Sequence, residues 1–168
     1  CLGDPGTAVA WSDAAKDGAA VPGLGGFLHG HWWTYALQPL HLQLPIIVLE
    51  YVAAFGNLLT FYELLDAFPR MCLASDALGD VFVLHKNKTH SELISRAHLA
   101  LLDTEEFVAL QQRLFSVHNF GEGNVFSDMS SRGEFEAMVS LAAQMGIRLQ
   151  QVRPHHAMER LLDSLVAY

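Results

Sequence analysis

Residues 7–13 read Thr7-Ala8-Val9-Ala10-Trp11-Ser12-Asp13, a short and mostly apolar stretch that predicts a β-strand carrying an acid at its end. Three further acids stand at comparable places. Glu50 lies one turn into an apolar helix, Asp76 ends a second apolar strand, and Asp128 opens a helix after a loop. Acids on four separate elements can meet only in three dimensions. Because converging carboxylates repel one another unless cations neutralise them, the pattern points to a magnesium site.

The bulk composition fits one domain with a substantial core. The chain has 168 residues, of which 51% are hydrophobic, and a net charge of -8, which argues against tight independent binding to nucleic acid. Two cysteines, Cys1 and Cys72, give no disulfide framework. The sequence shows no signal peptide and no stretch that could span a membrane. Since it begins with Cys rather than Met, we expect a piece of a longer intracellular protein, with nucleus or cytoplasm left open.

The order of the predicted elements indicates an α/β fold. Three strands precede a helix, a fourth strand, several helices, a fifth strand and final helices, which predicts a mixed five-stranded sheet flanked by helices. We divide the chain into a lead-in over 1–6, a domain over 7–133 and a C-terminal helical extension over 134–168. The glycine cluster Gly23–Gly26 is interpreted as a hairpin turn, because it does not lead from a strand into a helix as a phosphate loop does.

Local signals place the helices and the later strands. Thr89-His90-Ser91-Glu92 has the form of a capping box, Asp103-Thr104-Glu105-Glu106 offers a second such start for a short helix, and Gly133 and Gly146 mark a break and a stop. The predicted helices cover about 45–65, 77–85, 89–102, a short piece from 103, 125–144 and 155–166. A fifth strand is predicted over 113–118, and an extra strand over 147–152.

At this point the chain resembles the ribonuclease H domain of retroelement reverse transcriptases. The resemblance rests on four motifs in order: Ser12-Asp13-Ala14, Val48-Leu49-Glu50, Ala74-Ser75-Asp76 and Gly123-Asn124-Val125-Phe126-Ser127-Asp128-Met129-Ser130-Ser131-Arg132. The last is the most specific, since it is similar to the retroelement pattern of Asn, then Asp, then Ser-Arg. The match covers roughly 11–132, and the tail resembles the extension of DIRS-type and related elements. The fold that the resemblance implies is ribonuclease H-like.

The resemblance implies a metal-dependent endonuclease that cleaves the RNA strand of RNA–DNA hybrids. Asp13 would bridge two Mg²⁺ ions, with Mn²⁺ as the second choice, while Glu50 and Asp76 would hold one ion and Asp128 the other. A two-ion site activates the attacking water and stabilises the leaving oxygen. The expected partners are the hybrid and a reverse transcriptase domain in the parent chain, without a membrane.

One modest basic group accompanies these acids. Lys86, Lys88 and Arg96 follow Asp76 and are candidates for contacts with the hybrid backbone, although a solvated helix face is the plainer interpretation.

Other interpretations stay open. The chain could be a domesticated ribonuclease H fold that serves as a structural or protein-interaction module, which its acidic balance favours. A proofreading-type exonuclease is a weaker candidate, because residues 12–15 lack the Asp-x-Glu that it normally needs. The histidine pairs His29/His31 and His155/His156 could bind a transition metal, and either Trp32 or Trp33 could stack on bases.

Overall fold

The computed structural model describes residues 5–75, 88–117 and 122–168, and its strands form one mixed sheet. The strands are β1 (Thr7–Ala15), β2 (Gly23–Leu28), β3 (His31–Ala36), β4 (Arg70–Ala74), β5 (Leu114–Val117) and β6 (Gln150–Gln151). Their order is β5-β4-β1-β2-β3-β6, in which β1–β2 and β2–β3 are antiparallel and the other pairs are parallel. The expected five-stranded, ribonuclease H-like sheet is therefore confirmed, and the two-residue β6 extends one edge.

The described helices cover both faces of this sheet. They are α1 (Ile46–Thr60), α2 (Tyr62–Asp66), α3 (Lys88–Leu102), α4 (Glu105–Leu110), α5 (Glu122–Arg132), α6 (Phe135–Met145) and α7 (His156–Val166), with a 3₁₀ turn over Pro39–Gln43. Among the described helices, none combines the length and the continuous apolar character that a membrane span requires.

Strand alternation separates the core into two layers. The even-numbered residues Ala8, Ala10 and Ala14 of β1 join the main core, to which α1, α3 and α7 contribute. The odd-numbered side of the sheet carries a smaller cluster, in which Phe27 stacks on Phe126 of α5 with ring centroids 4.7 Å apart. Since successive residues of a strand point to opposite faces, Asp13 lies on the side of α5.

Helix α1 is buried on nearly every side. Eleven of its 15 residues are buried, as expected for a helix that is apolar all round. The single helix predicted over 45–65 is instead two helices, because Phe61 leaves the helical conformation with φ -97° and ψ 13°. Burial of the Phe61 ring accompanies this break, so packing rather than a local helix-stopping residue ends α1.

The glycine cluster was interpreted wrongly as a turn. Gly23–Gly26 begins β2, and the chain reverses at His29 and Gly30, which both have positive φ. The other local signals fared better, although the short helix predicted from 103 is capped by Thr104 and not by Asp103. Thr104 Oγ1 accepts a hydrogen bond from the Phe107 N–H at 3.3 Å, and Gly133 and Gly146 both take positive φ after the helices that they end. The helix predicted over 77–85 lies outside the described residues.

The C-terminal segment packs against both layers. Helix α7 contributes four buried side chains to the main core, namely Met158, Leu161, Leu162 and Leu165. Its Asp163 also bonds the fully buried His41 imidazole at 2.8 Å. On the other face, Met138 and Ala142 of α6 join the smaller cluster. This segment therefore completes the core in which the first strands and α1 are buried.

Candidate functional site

Asp13 is a buried acid near the end of the central strand β1. Its side chain is only 7% exposed, and its Oδ1 accepts a hydrogen bond from the backbone N–H of Ala14 at 2.9 Å. A carboxylate in such a place needs compensating charge or hydrogen bonds, since burial without them is costly. The backbone bond also fixes the direction of the carboxylate.

The strand beside Asp13 has a glycine at the position that faces α5, which lets this helix come close. Gly25 is the register partner of Asp13 in β2. A Cβ atom on Gly25 would collide with Ser130 Oγ and would lie 2.6 Å from the Ser131 nitrogen and 2.9 Å from the Ser127 oxygen. Helix α5 therefore rests directly on the backbone of β2, and only glycine fits there.

Helix α5 meets this strand with serines whose polar groups are already satisfied. Ser127, Ser130 and Ser131 are all buried, and each hydroxyl donates to the carbonyl three residues earlier, at 3.0, 3.0 and 2.7 Å. Thr34 of β3 donates to the Ser130 carbonyl at 2.8 Å. Small, internally bonded side chains can approach the sheet without leaving unpaired polar atoms. The Ser-rich motif thus sets the distance between α5 and the sheet.

Asp128 is paired with an arginine of its own helix. Arg132 Nε donates to Asp128 Oδ1 at 3.0 Å, one helical turn away on α5. This hydrogen bond and the charge of Asp128 raise the pKa of Arg132, and the charge of Asp13 adds a smaller effect in the same direction. Asp128 is 42% exposed and Arg132 is 35% exposed, so both remain accessible from solvent. Asp128 therefore has its counter-charge on α5 itself.

Glu50 lies on the helix that covers the opposite face. It is half-buried on α1, and the segment just before α1 is tied to the residue that follows β1, because Lys16 Nζ donates to the Leu44 carbonyl at 3.1 Å. The neighbouring Tyr51 bonds His98 of α3 at 2.7 Å, and burial raises its pKa to about 12.

The remaining predicted site residues are less fully described. Asp76 and Lys86 lie outside the described residues. Lys88 begins α3, and Arg96 lies farther along the same helix with its guanidinium carbon 3.4 Å from the centroid of the Tyr168 ring. Ser75, the last described residue before Asp76, is buried.

Oxygen atoms are the donors at this site, which suits Mg²⁺ better than a softer metal. In residues 5–75, 88–117 and 122–168, no group of three His, Cys, Asp or Glu side chains is placed to hold one ion. Asp13, Glu50 and Asp128 belong to these residues, and Asp76 does not. The carboxylate of Asp128 is turned toward Arg132, so it would have to exchange this partner to bind an ion.

The other candidate groups have structural roles in the described part of the chain. His155 Nδ1 accepts a hydrogen bond from the Ala157 N–H at 3.1 Å and so caps α7. Trp32 and Trp33 are both buried, at 9% and 0% exposed, on opposite faces of β3, and neither offers a stacking surface. A cavity of about 570 Å³, partly lined by His31 and Glu106, opens near the start of β3, away from Asp13.

Two features of the site had no role in the sequence interpretation. Arg132 was part of the quoted motif, and its spacing of four from Asp128 is the helical ion-pair spacing that could have identified it. Gly25 was assigned to a turn. Its packing against α5 depends on residues about a hundred positions later, which no local pattern reveals.

No protein-family model matches this chain, and no curated protein matches it at a significant level.

Proposed function

We propose that this chain is a magnesium-dependent nuclease domain that cleaves the RNA strand of RNA–DNA hybrids. The observation that carries the proposal is the packing of α5 on Gly25, beside Asp13, in a ribonuclease H-like sheet. In this arrangement Asp128 is paired with Arg132, and the charge of Asp13, which lies 115 positions earlier in the sequence, acts on the same arginine. An acid pair of this kind at a strand end supports phosphoryl transfer with divalent ions.

The position of Asp76 in the sequence, counted from the register of β1 and β4, adds support. Trp11 and Ala74 are partners in the parallel pair β1–β4. Asp13 follows Trp11 by two residues, and Asp76 follows Ala74 by two residues. Two acids at equal offsets from paired positions are what a shared ion site requires.

Each residue has a distinct role in the proposed site. Asp13, held by the Ala14 N–H, would be the central ligand, and Glu50, Asp76 and Asp128 would complete the oxygen set. Mg²⁺ ions bound there would activate the attacking water and stabilise the leaving oxygen. The apolar surroundings of Asp13 strengthen its attraction for a cation, because fewer water dipoles screen the charge. Contacts of Lys86, Lys88 and Arg96 with the hybrid backbone stay predictions.

Arg132 would balance the charge of Asp128 while no ion is bound. When Asp128 binds an ion, it would release Arg132. Its guanidinium neutralises part of the charge of Asp128 and Asp13. Close acids would otherwise destabilise the fold through their mutual repulsion. The bond is between partly exposed groups, so breaking it costs little.

A cleavage assay tests the proposal. The substrate is an RNA–DNA hybrid labelled on the RNA strand, with single-stranded RNA and duplex DNA as comparisons, in Mg²⁺ and in EDTA. We expect magnesium-dependent cleavage of the hybrid alone. Asp13→Asn should abolish it, while Asp17→Asn, which removes an exposed acid four residues away, should not. Equal cleavage by the Asp13→Asn protein would refute the assignment of this site.

One observation favours the rival function, a structural module without catalysis. The Asp128–Arg132 pair already gives this acid a partner within the protein. A module of that kind would gain no thermal stability from Mg²⁺, whereas a nuclease site that binds two ions would be stabilised by them through mass action. Thermal unfolding with and without Mg²⁺ separates the two.

The proposed activity implies a place for the domain in a larger chain. A nuclease that removes RNA from hybrids works on the product of a reverse transcriptase, so a polymerase domain in the parent polyprotein is the natural partner. Such a protein would work inside the cell, in the nucleus or the cytoplasm.

A further inference from the structure

The basic side chains of the described residues fall into two classes. Most are held by partners within the fold: Lys16 by the Leu44 carbonyl, Arg113 by Asp66, Arg132 by Asp128 and Arg96 by the Tyr168 ring. Three arginines make no ion pair or hydrogen bond through their side chains with any described residue, and all three are exposed. They are Arg148, Arg153 and Arg160.

These three arginines belong to one short segment around β6. Residues 137–158 contain no Asp or Glu, although the whole chain has 18 acids and ten Lys and Arg. Arg148 and Arg153 flank β6, and Arg160 lies one turn into α7, where its charge acts on His155. We call Arg148, Arg153 and Arg160 the β6 arginines.

The nearest acids of α7 do not neutralise this group. Glu159 accepts hydrogen bonds from Tyr35 and Gln38, at 3.1 and 3.4 Å, and Asp163 is bonded to His41. The carboxylates are thus directed toward β3 and the 3₁₀ turn. The β6 arginines consequently form a local cationic surface on a protein whose net charge is -8.

The edge position of β6 makes this surface accessible to an extended partner. Gln150 donates its N–H to the Gly30 carbonyl at 2.9 Å, and Val152 donates to the Trp32 carbonyl at 2.8 Å, so only one side of β6 is paired in the sheet. Charge on an edge strand also prevents edge-to-edge aggregation, but acids serve that purpose equally well. The consistent sign of the charge here, in an acidic chain, indicates an anionic partner.

We infer that the β6 arginines bind the phosphate backbone of a nucleic acid duplex at the β6 edge of the sheet. The identity of the duplex rests on the proposed function. If that function holds, the duplex is the RNA–DNA hybrid, bound here outside the cleavage site. The register supports a shared substrate. Asp13 of β1 pairs with Gly25 of β2, which pairs with Thr34 of β3. Gln151 of β6 pairs with Trp32, two residues before Thr34 in β3. Three strand spacings and two residue rises separate Asp13 from Gln151 by about 16 Å, which is about half a duplex turn.

Binding can be measured without catalysis. The assay is fluorescence anisotropy of a labelled two-turn RNA–DNA hybrid in EDTA, over a range of salt concentrations. The test protein carries Arg148→Gln, Arg153→Gln and Arg160→Gln, all at exposed positions that the core does not use. Because each lost phosphate contact lowers affinity about tenfold at 50 mM salt, we expect at least about 100-fold weaker binding. The slope of log affinity against log salt should fall by about two to three.

Two matched proteins separate a local surface from overall charge. Replacing the same three arginines with lysine keeps the charge and should keep most of the binding and of the salt slope. Replacing Lys16, Arg70 and Arg113, which the proposed function does not assign to the hybrid, with glutamine lowers the net charge equally and should weaken binding much less. Equal losses in the two glutamine proteins, or no measurable binding by the unaltered protein at low salt, would overturn the inference. Displacement of the hybrid by polyglutamate at equal charge concentration would also overturn it, since an acidic protein would then fit as well.

The outcome is independent of cleavage. If the unaltered protein binds hybrid through the β6 arginines but does not cut it, the proposed function fails and the binding surface stands. If it cuts hybrid and the glutamine protein binds and cuts equally well, the proposed function stands and the surface fails.

Discussion

Substituting alanine for Gly25 should separate the two sides of the proposed active site. The added Cβ would lie 2.6 Å from the Ser131 nitrogen and 2.9 Å from the Ser127 oxygen, and both are backbone atoms of α5. An ordinary contact needs about 3.4 Å or more, so α5 must move away from β2 by roughly 0.8 Å. Removing the Ser130 hydroxyl would not relieve these backbone contacts.

The displacement has a predictable cost in stability and in activity. Overpacking of this kind costs about 1–3 kcal/mol, and alanine returns about 0.5–1 kcal/mol because glycine loses more chain entropy on folding. We therefore expect a net loss of about 1–2 kcal/mol in the free energy of unfolding. Since α5 carries Asp128, hybrid cleavage per folded molecule should fall by about 100-fold, as expected for a misplacement near 1 Å.

Urea unfolding and the hybrid cleavage assay measure the two effects on the same samples. Gly56→Ala is the matched control, because its Cβ would meet the flexible end of Met158 on the other face of the sheet. That variant should keep its cleavage rate per folded molecule. If Gly25→Ala is as stable and as active as the unaltered protein, then α5 does not rest on β2 as the structure describes. If it loses stability but keeps full cleavage, the position of Asp128 is irrelevant to the reaction.

Three further predictions concern side-chain partners. Arg132→Met should tighten Mn²⁺ binding about three- to tenfold in an electron paramagnetic resonance titration, because a positive charge beside the ions is removed; weaker binding would contradict the counter-charge role. Asp163→Ala should cost about 1–3 kcal/mol in urea unfolding, because it leaves the buried His41 without its partner. Asp163→Asn keeps an acceptor and should cost less. Tyr51→Phe should cost about 1 kcal/mol by loss of the bond to His98, and an unchanged midpoint would show that this bond contributes nothing.

Much of the fold could be predicted because its signals are local. Gly133 and Gly146 end helices through a backbone conformation that glycine adopts most easily, and Thr104 caps a helix three residues from its partner. The mostly apolar stretch 7–13 assigned Asp13 to the end of a strand, and β1 continues two residues beyond it, to Ala15. These features depend on a few neighbouring residues, so a single sequence contains them in full.

The errors share a physical cause, which is packing between distant segments. Gly23–Gly26 contains the residues of a turn, yet it is a strand because α5 covers one side of it and the Trp33–Asn57 pair covers the other. Glycine in a strand often marks such a close approach, but the partner that approaches cannot be read from the strand itself. The break at Phe61 likewise follows from burial of its ring.

The candidate site was predictable as a set of residue types but not as an arrangement. The motifs assigned Asp13, Glu50 and Asp128 to three different elements, and the structure places them on those elements. Asp128 was predicted to open its helix, but it lies in the middle of α5, which already begins at Glu122. The bond from Arg132 to Asp128 and the packing of α5 on Gly25 are three-dimensional facts. A motif records which residues are present, whereas the partner of each residue depends on how the helices lie on the sheet.

Net charge alone does not describe the surface that an approaching polyanion would meet. The value of -8 is an average over the chain, and an average says nothing about which cations remain available. Arg113 and Arg132 are already bonded to acids, so they add little to the field that an approaching polyanion meets. The β6 arginines have no such partners among the described residues, and the nearest acids of α7 are engaged elsewhere. Because surface potential is set by local groups within about one Debye length, an acidic protein can still present a cationic edge to nucleic acid.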